Sequence, residues 1–223
     1  EGADRDAIYS KIKEDPKLSI VEEDKNAALL FDTYNEKVET LLSIKIGTVE
    51  DNLCLSRIPG DERSKICTPQ ETLKNGSDIA TLVAHAFREM AKASDIAIQN
   101  GGGVRTDISS GDITMGDAYK LLPFANTLVE MDMSGAEIKL VLEEAIEYAL
   151  QPDGSDGAFP YAAGLRWHVD STRASGNRLS KMEYKGRSDA DWVPLNMEKM
   201  YRIVTNNYIA AGRDGYLSFK TVK

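Results

Sequence analysis

The chain has few of the residues from which metal and redox centres are built. Its 223 residues include two histidines and two cysteines, Cys54 and Cys67, and the cysteines do not form a C-x-x-C pair. Metal sites need several His, Cys or carboxylate ligands in recognisable spacings. The sequence therefore argues against a zinc site and against a hydrolytic metal centre in this chain.

Three common catalytic motifs are also missing. The sequence has no G-x-x-x-x-G-K-[ST] phosphate loop, no G-x-G-x-x-G dinucleotide motif and no G-x-S-x-G nucleophile turn. No apolar run approaches the ~18 residues that indicate a membrane-spanning helix. The net charge of −9 argues against a general nucleic-acid binder, because such proteins neutralise phosphates with lysine and arginine.

The two cysteines leave two readings open. A disulfide between Cys54 and Cys67 would stabilise the fold by about 3 kcal/mol in chain-entropy estimates and would indicate an oxidising compartment. The alternative is two unrelated buried thiols. The chain begins Glu-Gly-Ala-Asp, with no Met and no signal-like apolar stretch. We therefore expect a processed product or an excised part of a longer protein.

The most informative stretch is 95–105, Asp-Ile-Ala-Ile-Gln-Asn-Gly-Gly-Gly-Val-Arg. It predicts a short strand that runs into three glycines, which we expect to turn through positive φ and to admit a ligand close to the backbone. Arg105 then offers a planar cation suited to phosphate or carboxylate. The alternative is a surface turn beside a solvated arginine.

Two further strand ends carry residues suited to a ligand. Phe124 and Asn126 precede a predicted strand at 127–133, and Tyr208 and Asp214 follow another at 201–205. Two aromatic rings suit a planar base, a carboxylate suits ribose hydroxyls, and arginines suit phosphate. Together they indicate a nucleotide site, although Phe124 could equally be packed in the core.

Hydrophobic periodicity predicts helices over 22–42, 77–92 and 134–150, the last opened by a capping box of Ser134 and Glu137. The inward face of the second helix is predicted to hold Ile79, Leu82, Val83, Ala86, Phe87 and Met90. Residues 106–123 are interpreted as a loop, and 164–169 and 179–184 as further strands. The irregular order of helices and strands favours an α+β fold.

Three motifs give the chain a resemblance to a known family. They are Gln-Asn-Gly-Gly-Gly-Val-Arg at 99–105, Leu-Leu-Pro-Phe-Ala-Asn-Thr-Leu-Val at 121–129 and Thr-Asn-Asn-Tyr-Ile-Ala-Ala-Gly-Arg-Asp-Gly-Tyr at 205–216. The sequence resembles the C-terminal domain of the 5′-nucleotidase family. The stretch Ala158-Phe159-Pro160-Tyr161 before Gly164-Leu165-Arg166 is most similar to its NAD nucleotidase branch. The resemblance implies mixed sheets flanked by helices in α/β/β/α layers, with 1–45 as an interdomain linker containing a helix and 46–223 as the substrate-binding domain.

The resemblance also implies a set of substrate-binding residues. Phosphate would be held by Arg63 and Arg105, and the base would lie between Phe124 and Tyr208. The remaining positions implied are Asn100 and Asn126 for the base or ribose, Asp214 for the ribose hydroxyls, and Gly102 and Gly103 in the glycine run. Some members carry an arginine where Cys67 stands here, so either fewer arginines hold the phosphate or Arg57 substitutes.

The family's chemistry is expected to lie outside this chain. Members carry two divalent metal ions and a catalytic His–Asp pair on an N-terminal metallophosphoesterase domain, so the resemblance implies no cofactor and no activity for this part alone. It implies a nucleotide or nucleoside ligand, the N-terminal domain as partner, and a periplasmic or extracellular location. The alternatives are a UDP-sugar hydrolase or 2′,3′-cyclic-nucleotide phosphodiesterase of the same family, and a non-catalytic nucleotide-binding module.

Overall fold

The computed structural model describes residues 2–21 and 23–221. The chain divides into two compact units, Glu1–Ile44 and Lys45–Lys223.

The first unit consists of two helices, α1 (Gly2–Glu14) and α2 (Lys25–Leu42). Asp24 caps α2, because its side chain accepts hydrogen bonds from the backbone N–H groups of Asn26 and Ala27. The predicted helix over 22–42 is thus confirmed from Lys25 onward, while Glu22 lies outside the described residues. No residue of α2 is buried, and its apolar stripe includes Phe31, which is 68% exposed.

The second unit contains the remaining helices and all the strands of the described chain. The helices are α3 (Pro69–Thr72), α4 (Asp78–Met90), α5 (Met115–Leu121), α6 (Gly135–Leu150) and α7 (Asn207–Ala210). The strands are β1 (Lys45–Val49), β2 (Ile96–Asn100), β3 (Gly111–Thr114), β4 (Leu128–Ser134), β5 (Pro160–Ala163), β6 (Leu165–Val169), β7 (Leu179–Tyr184), β8 (Val193–Pro194) and β9 (Met200–Asn206). Three 3-10 turns lie at Gly101–Gly103, Asp156–Ala158 and Leu217–Thr221.

The strands form three sheets, with orders β1-β3, β4-β9-β2-β5 and β6-β7-β8. All pairings are antiparallel except that of β2 with β9, which is parallel. This mixture of sheets with separate helices confirms the α+β prediction. The strands predicted at 127–133, 164–169, 179–184 and 201–205 correspond to β4, β6, β7 and β9, whereas β1, β3, β5 and β8 were not predicted.

Helix α6 forms as its sequence predicts. Ser134 Oγ accepts from the backbone N–H of Glu137, and the Glu137 carboxylate accepts from the Ser134 backbone N–H and hydroxyl. The six predicted inward residues are all buried, namely Ile138, Val141, Leu142, Ala145, Ile146 and Ala149. They form much of the main core together with the apolar side chains of β2, β4 and β9.

The inward face predicted for α4 is wrong only in part. Ile79 and Val83 are buried as predicted, whereas Leu82 and Met90 are 43% and 75% exposed. Ala84, which was not predicted, is fully buried and packs against the four-stranded sheet. The inward face of α4 therefore combines large and small apolar side chains.

Residues 106–123 are not a loop. They contain β3 and α5, and Thr114 caps α5 in a capping box with Asp117. The T-x-x-D spacing is a helix-start signal that the sequence interpretation overlooked. Cys54 and Cys67 form a disulfide, so the first of the two readings of the cysteines is confirmed.

Candidate functional site at one edge of the four-stranded sheet

The register of the four-stranded sheet brings four chain segments together at one edge. Because β2 and β9 are parallel, their last residues, Asn100 and Asn206, lie at the same edge. Strand β4 begins there, with Leu128 opposite Asn206, and β5 also begins there, with Pro160 opposite Asn100. The segments that follow β2 and β9, and those that precede β4 and β5, therefore meet at this sheet edge.

A buried network of side-chain amides holds the sheet edge together. Asn206 Nδ2 donates to Gln99 Oε1 at 2.9 Å and to Asn100 Oδ1 at 3.0 Å. Asn206 Oδ1 accepts from the backbone N–H of Ile209 and so caps α7. The three amide side chains belong to residues at most 3% exposed. Satisfied buried hydrogen bonds of this kind fix one arrangement, because breaking one leaves a costly unpaired group.

The network extends to the predicted ribose-binding carboxylate. Asn100 Nδ2 donates to Asp214 Oδ2 at 3.0 Å, and the Tyr208 hydroxyl donates to Asp214 Oδ1 at 2.9 Å. Partial burial, and then the hydrogen bond to Asp214 and its charge, raise the pKa of Tyr208. Each carboxylate oxygen keeps a further lone pair, so Asp214 can accept from two ligand hydroxyls.

The two predicted aromatic residues lie on segments that are tied to each other. Thr127 N–H donates to Asn207 Oδ1 at 3.0 Å, and Asn207 N–H donates to the Thr127 carbonyl at 2.9 Å. Phe124 precedes the first of these residues by three positions and Tyr208 directly follows the second. Phe124 is 54% exposed and Tyr208 is 43% exposed, so neither ring is packed in the core. Both are available to a planar ligand.

Arg105 lies against one of these rings. Its Cζ is 5.5 Å from the centroid of the Phe124 ring, and its Nη1 donates to the Gly102 carbonyl at 3.2 Å. A guanidinium over an aromatic face is a favourable contact. Arg105 is therefore not the freely solvated side chain of the alternative interpretation, and its cation stands beside the predicted base site.

The glycine run does not turn through positive φ as predicted, and a close approach of a ligand to its backbone stays a prediction. Gly101–Gly103 form a 3-10 turn and do not adopt positive φ. A Cβ on Gly102 would lie 3.0 Å from the Cα of Gly157, and a Cβ on Gly103 would lie 2.2 Å from Gln99 Nε2. The glycines are needed because the neighbouring turn and the amide network occupy the space of their side chains.

Arg63 and Arg57 share a carboxylate that the sequence interpretation missed. Arg57 Nη1 lies 2.5 Å from Asp156 Oδ1, and Arg63 Nη2 lies 2.9 Å from Asp156 Oδ2. Burial alone would raise the pKa of Asp156, but hydrogen bonds from the two arginines and their charges outweigh it and lower the pKa. Asp156 thus holds both guanidinium groups beside the sheet edge.

These arginines are linked to Arg105 through the glycine turns. Asp156 directly precedes Gly157, which packs on Gly102, and the Gly102 carbonyl accepts from Arg105. On the other side, a Cβ on Gly101 would lie 3.3 Å from the Cα of Arg57. The predicted phosphate-binding residues Arg63 and Arg105 are therefore held by two turns that contact each other.

Two carboxylates order the segment that carries Arg63. Asp107 accepts from the backbone N–H groups of Leu55 and Lys65 and from the Ser64 hydroxyl. Asp61 accepts from the backbone N–H groups of Arg57, Ile58 and Arg63. With the disulfide, these bonds give fixed structure to a stretch whose composition resembles that of a solvated loop.

Comparison with known proteins identifies the family. The sequence pattern described as "5′-nucleotidase, C-terminal domain" matches residues 45–221. The chain belongs to the 5′-nucleotidase family. It is 35% identical over 219 residues to the NAD 5′-nucleotidase of Haemophilus influenzae, covering 98% of this chain and 36% of that protein.

Solved structures agree with this assignment. The Haemophilus influenzae NAD nucleotidase superposes with a TM-score of 0.72 at 33% identity, covering 99% of this chain and 38% of that one. A 5′-nucleotidase precursor from Thermus thermophilus superposes with a TM-score of 0.70 at 33% identity, covering 90% of this chain and 36% of that one. This 5′-nucleotidase C-terminal domain, with its preceding helices, thus spans little more than a third of the length of such relatives.

The described part of the domain offers no ligand set for the metal ions that the family resemblance implies. Within residues 2–21 and 23–221, no group of three or more His, Cys, Asp or Glu side chains is placed to hold a metal. The two divalent ions therefore do not fit the residues present. In the same residues, no helix has both the length and the apolar character needed to cross a bilayer.

Three contributors to the sheet edge were missed by sequence reasoning: Gln99, Asn206 and Asp156. The first two belong to the motifs that carry the family resemblance, and each is a polar residue at the end of an apolar strand, which is a usable signal. Asp156 lies in a Gly- and Asp-rich stretch that reads as a plain helix stop. Asn126 is exposed at the edge, and its contact with a ligand stays a prediction.

Two clefts of the 5′-nucleotidase domain lie away from the sheet edge. One of about 890 Å³ is lined by residues that include Trp167 and His168, and one of about 590 Å³ by residues that include Arg88 and Trp192. None of the predicted site residues is among their described lining residues. The convergent polar groups of the sheet edge, rather than the volume of a cleft, make it the candidate site.

Proposed function

We propose that this chain is the substrate-binding domain of a 5′-nucleotidase and that the sheet edge holds the nucleotide. The base would lie between Phe124 and Tyr208, the ribose hydroxyls would donate to Asp214, and the phosphate would meet Arg63 and Arg105. The observation that carries the proposal is the convergence of three predicted strand ends at one edge, joined by the contacts of Asn100, Asp214 and Tyr208.

Asn100 is proposed to act mainly through Asp214 rather than by contacting the ligand itself. Its oxygen is taken by Asn206 and one of its N–H groups by Asp214. One N–H remains for a ligand. Asn100 therefore acts chiefly by orienting the Asp214 carboxylate. Gly102 and Gly103 act in the same indirect way, by letting the turns pack closely.

Hydrolysis is assigned to a part of the protein that precedes this chain. The domain would contribute binding energy and orientation, while two divalent metals in an N-terminal metallophosphoesterase domain would supply the chemistry. Residues 1–45 would be the linker between the two.

A dinucleotide such as NAD is included among the proposed substrates, because the similar Haemophilus influenzae protein is an NAD 5′-nucleotidase. A periplasmic or extracellular location is proposed on two grounds. The disulfide between Cys54 and Cys67 favours an oxidising compartment, and the similar Thermus thermophilus protein is described as a precursor.

The test uses the longer protein with its preceding domain. We expect it to hydrolyse AMP or NAD with a divalent metal, and we expect this chain alone to be inactive with Mn²⁺ or Zn²⁺. Phe124→Ala and Tyr208→Ala should each lower kcat/KM by roughly 5- to 150-fold, since stacking of a base contributes about 1–3 kcal/mol. A panel with UDP-sugars and 2′,3′-cyclic nucleotides would identify the preferred substrate.

The matched control is Met200→Ala. Met200 is 55% exposed and begins β9, so it lies at the opposite end of the strand that leads to Tyr208. This variant should keep the kcat/KM of the unmodified protein. Unchanged kinetics in Phe124→Ala and Tyr208→Ala, or turnover by the purified chain alone, would contradict the proposal.

A further inference from the structure

The cleft of about 590 Å³ concentrates positive charge on an acidic chain. It is formed by α4, the turn between β5 and β6, and the segment after β7. Its charged lining residues are the cations Arg88, Arg166, Lys185 and Arg187 and the single carboxylate Glu89, with His85 beside them. The whole chain has a net charge of −9. Such a cluster of cations in a concave surface attracts anions.

Arg88 is the most deeply placed of these cations. It is 9% exposed, and its Nη2 donates to the Lys185 carbonyl at 3.0 Å. Its Nε is buried and has no partner among the described residues. Gly164 lies directly against the guanidinium, since a Cβ there would be 2.8 Å from Arg88 Cζ. Arg88 is thus held in one position with hydrogen-bonding capacity unused.

Two of the four cations already have ion-pair partners. Arg187 Nη1 pairs with Glu89 at 2.8 Å, and its other nitrogens donate to the backbone carbonyls that end α4. Arg166 Nε pairs with Glu183 at 2.7 Å and lies over the Trp192 ring at 4.5 Å. These two arginines line the cleft, but their charges are partly neutralised by Glu89 and Glu183.

Arg88 and Lys185 have no such partner within the described part of the chain. The nearby carboxylate of Asp95 is engaged, because it accepts from the Tyr184 hydroxyl and from the Arg202 N–H, each at 3.0 Å. Burial and then the charge of Arg187 lower the pKa of Arg88. An anion in the cleft would offset both effects, since a buried cation is stabilised by a hydrogen-bonded opposite charge.

We propose that this cleft is a second anion-binding site, which takes a phosphate-bearing small molecule through Arg88 and Lys185. A phosphate group offers several acceptor oxygens to the two unpaired cations. The cleft volume exceeds that of a phosphate ion, so an organic group attached to the phosphate also has room. The site is separate from the sheet edge and does not depend on the function proposed for that edge.

The test is a titration of the 223-residue chain with inorganic phosphate, followed by ¹H–¹⁵N NMR at constant ionic strength. We expect saturable shifts of the Gly164 and Gly186 amides and the Trp192 indole. In Lys185→Gln the apparent Kd at these signals should rise about tenfold or more, which corresponds to losing one charge-assisted hydrogen bond. Arg88→Gln should have the same effect, and Lys185→Gln decides the question if Arg88→Gln fails to fold.

Two control variants separate this site from other effects. Lys181→Gln removes the same charge from an exposed lysine outside the cleft and should leave the Kd unchanged. Arg105→Gln alters the sheet edge and should also leave these signals unaffected. Shifts that do not saturate, shifts confined to Gly102 and Gly103, or an unchanged Kd in Lys185→Gln would overturn the proposal.

Discussion

Asp214 is oriented from two sides by residues of the protein itself. Asn100 and Tyr208 each donate to one of its oxygens, and Asn100 is in turn fixed by Asn206. A carboxylate held in this way does not have to be ordered when a ligand binds, so less of the binding energy is lost to conformational entropy. The Tyr208 hydroxyl thus positions Asp214, and the role proposed for its ring is to stack on the base.

Two substitutions of Tyr208 should separate these functions. Tyr208→Phe keeps the ring and loses only the hydrogen bond to Asp214. Nucleoside affinity should therefore fall less in Tyr208→Phe than in Tyr208→Ala. Tyr208→Ala also removes the stacking face, which contributes about 1–3 kcal/mol per base. Isothermal titration calorimetry with adenosine measures the affinity of both variants. Equal losses in the two variants would show that the ring does not stack on the base.

At the scale of elements, the site depends on the contact between two short turns. The turn at Gly101–Gly103 follows β2, and the turn at Asp156–Ala158 precedes β5. They meet at Gly102 and Gly157. The second turn carries Asp156, which positions Arg57 and Arg63. The distance between the turns therefore determines where the arginines lie.

Gly102→Ala should disturb this contact. The new Cβ would lie 3.0 and 3.1 Å from the Cα and carbonyl oxygen of Gly157, and neither backbone atom can rotate away. We expect a loss of about 1–3 kcal/mol in the free energy of unfolding by urea, typical of overpacking, and weaker AMP binding. Gly47→Ala is the matched control, because no described atom lies within 4 Å of its Cβ position. Equal stability of the two variants would contradict the account.

The sequence allows some elements to be predicted well and others poorly, for physical reasons. Helix α6 has a capping box and one apolar stripe, and both local signals agree with its final packing. The inward residues predicted for helix α4 were right for Ile79 and Val83 and wrong for Leu82 and Met90, since the buried Ala84 gives no strong apolar signal. The ligand-type residues were found at three strand ends, but only the register of β2, β4 and β9 shows that they meet. Asp156 gave no local signal.

At the scale of the whole molecule, buried tyrosines should limit stability at high pH. Burial, with the hydrogen bond to Asp95 and its charge, raises the pKa of Tyr184 to about 12, and burial also raises the pKa of Tyr161 and Tyr216. As the pH rises above about 10, the unfolded chain loses these protons first. Stability is therefore complete below about pH 10 and is lost as the pH rises through the folded pKa values.

Urea unfolding between about pH 8 and about pH 11 measures this effect. The free energy of unfolding of the unmodified chain should decline over the upper part of that range. Tyr184→Phe removes one of the raised pKa values, so its decline should be shallower. Parallel declines in the two proteins would show that Tyr184 does not contribute.

The 5′-nucleotidase assignment and the sheet edge together predict a domain that binds and orients a substrate. The most direct test is isothermal titration calorimetry of the chain with adenosine and with AMP. We predict that both bind and that AMP binds more tightly. Phe124→Ala should weaken both ligands by roughly 5- to 150-fold. Arg105→Gln should reduce the preference for AMP, because Arg63 still faces the phosphate, and Met200→Ala should change neither. Absence of binding of either nucleoside or nucleotide, or full affinity in Phe124→Ala, would contradict the proposed site.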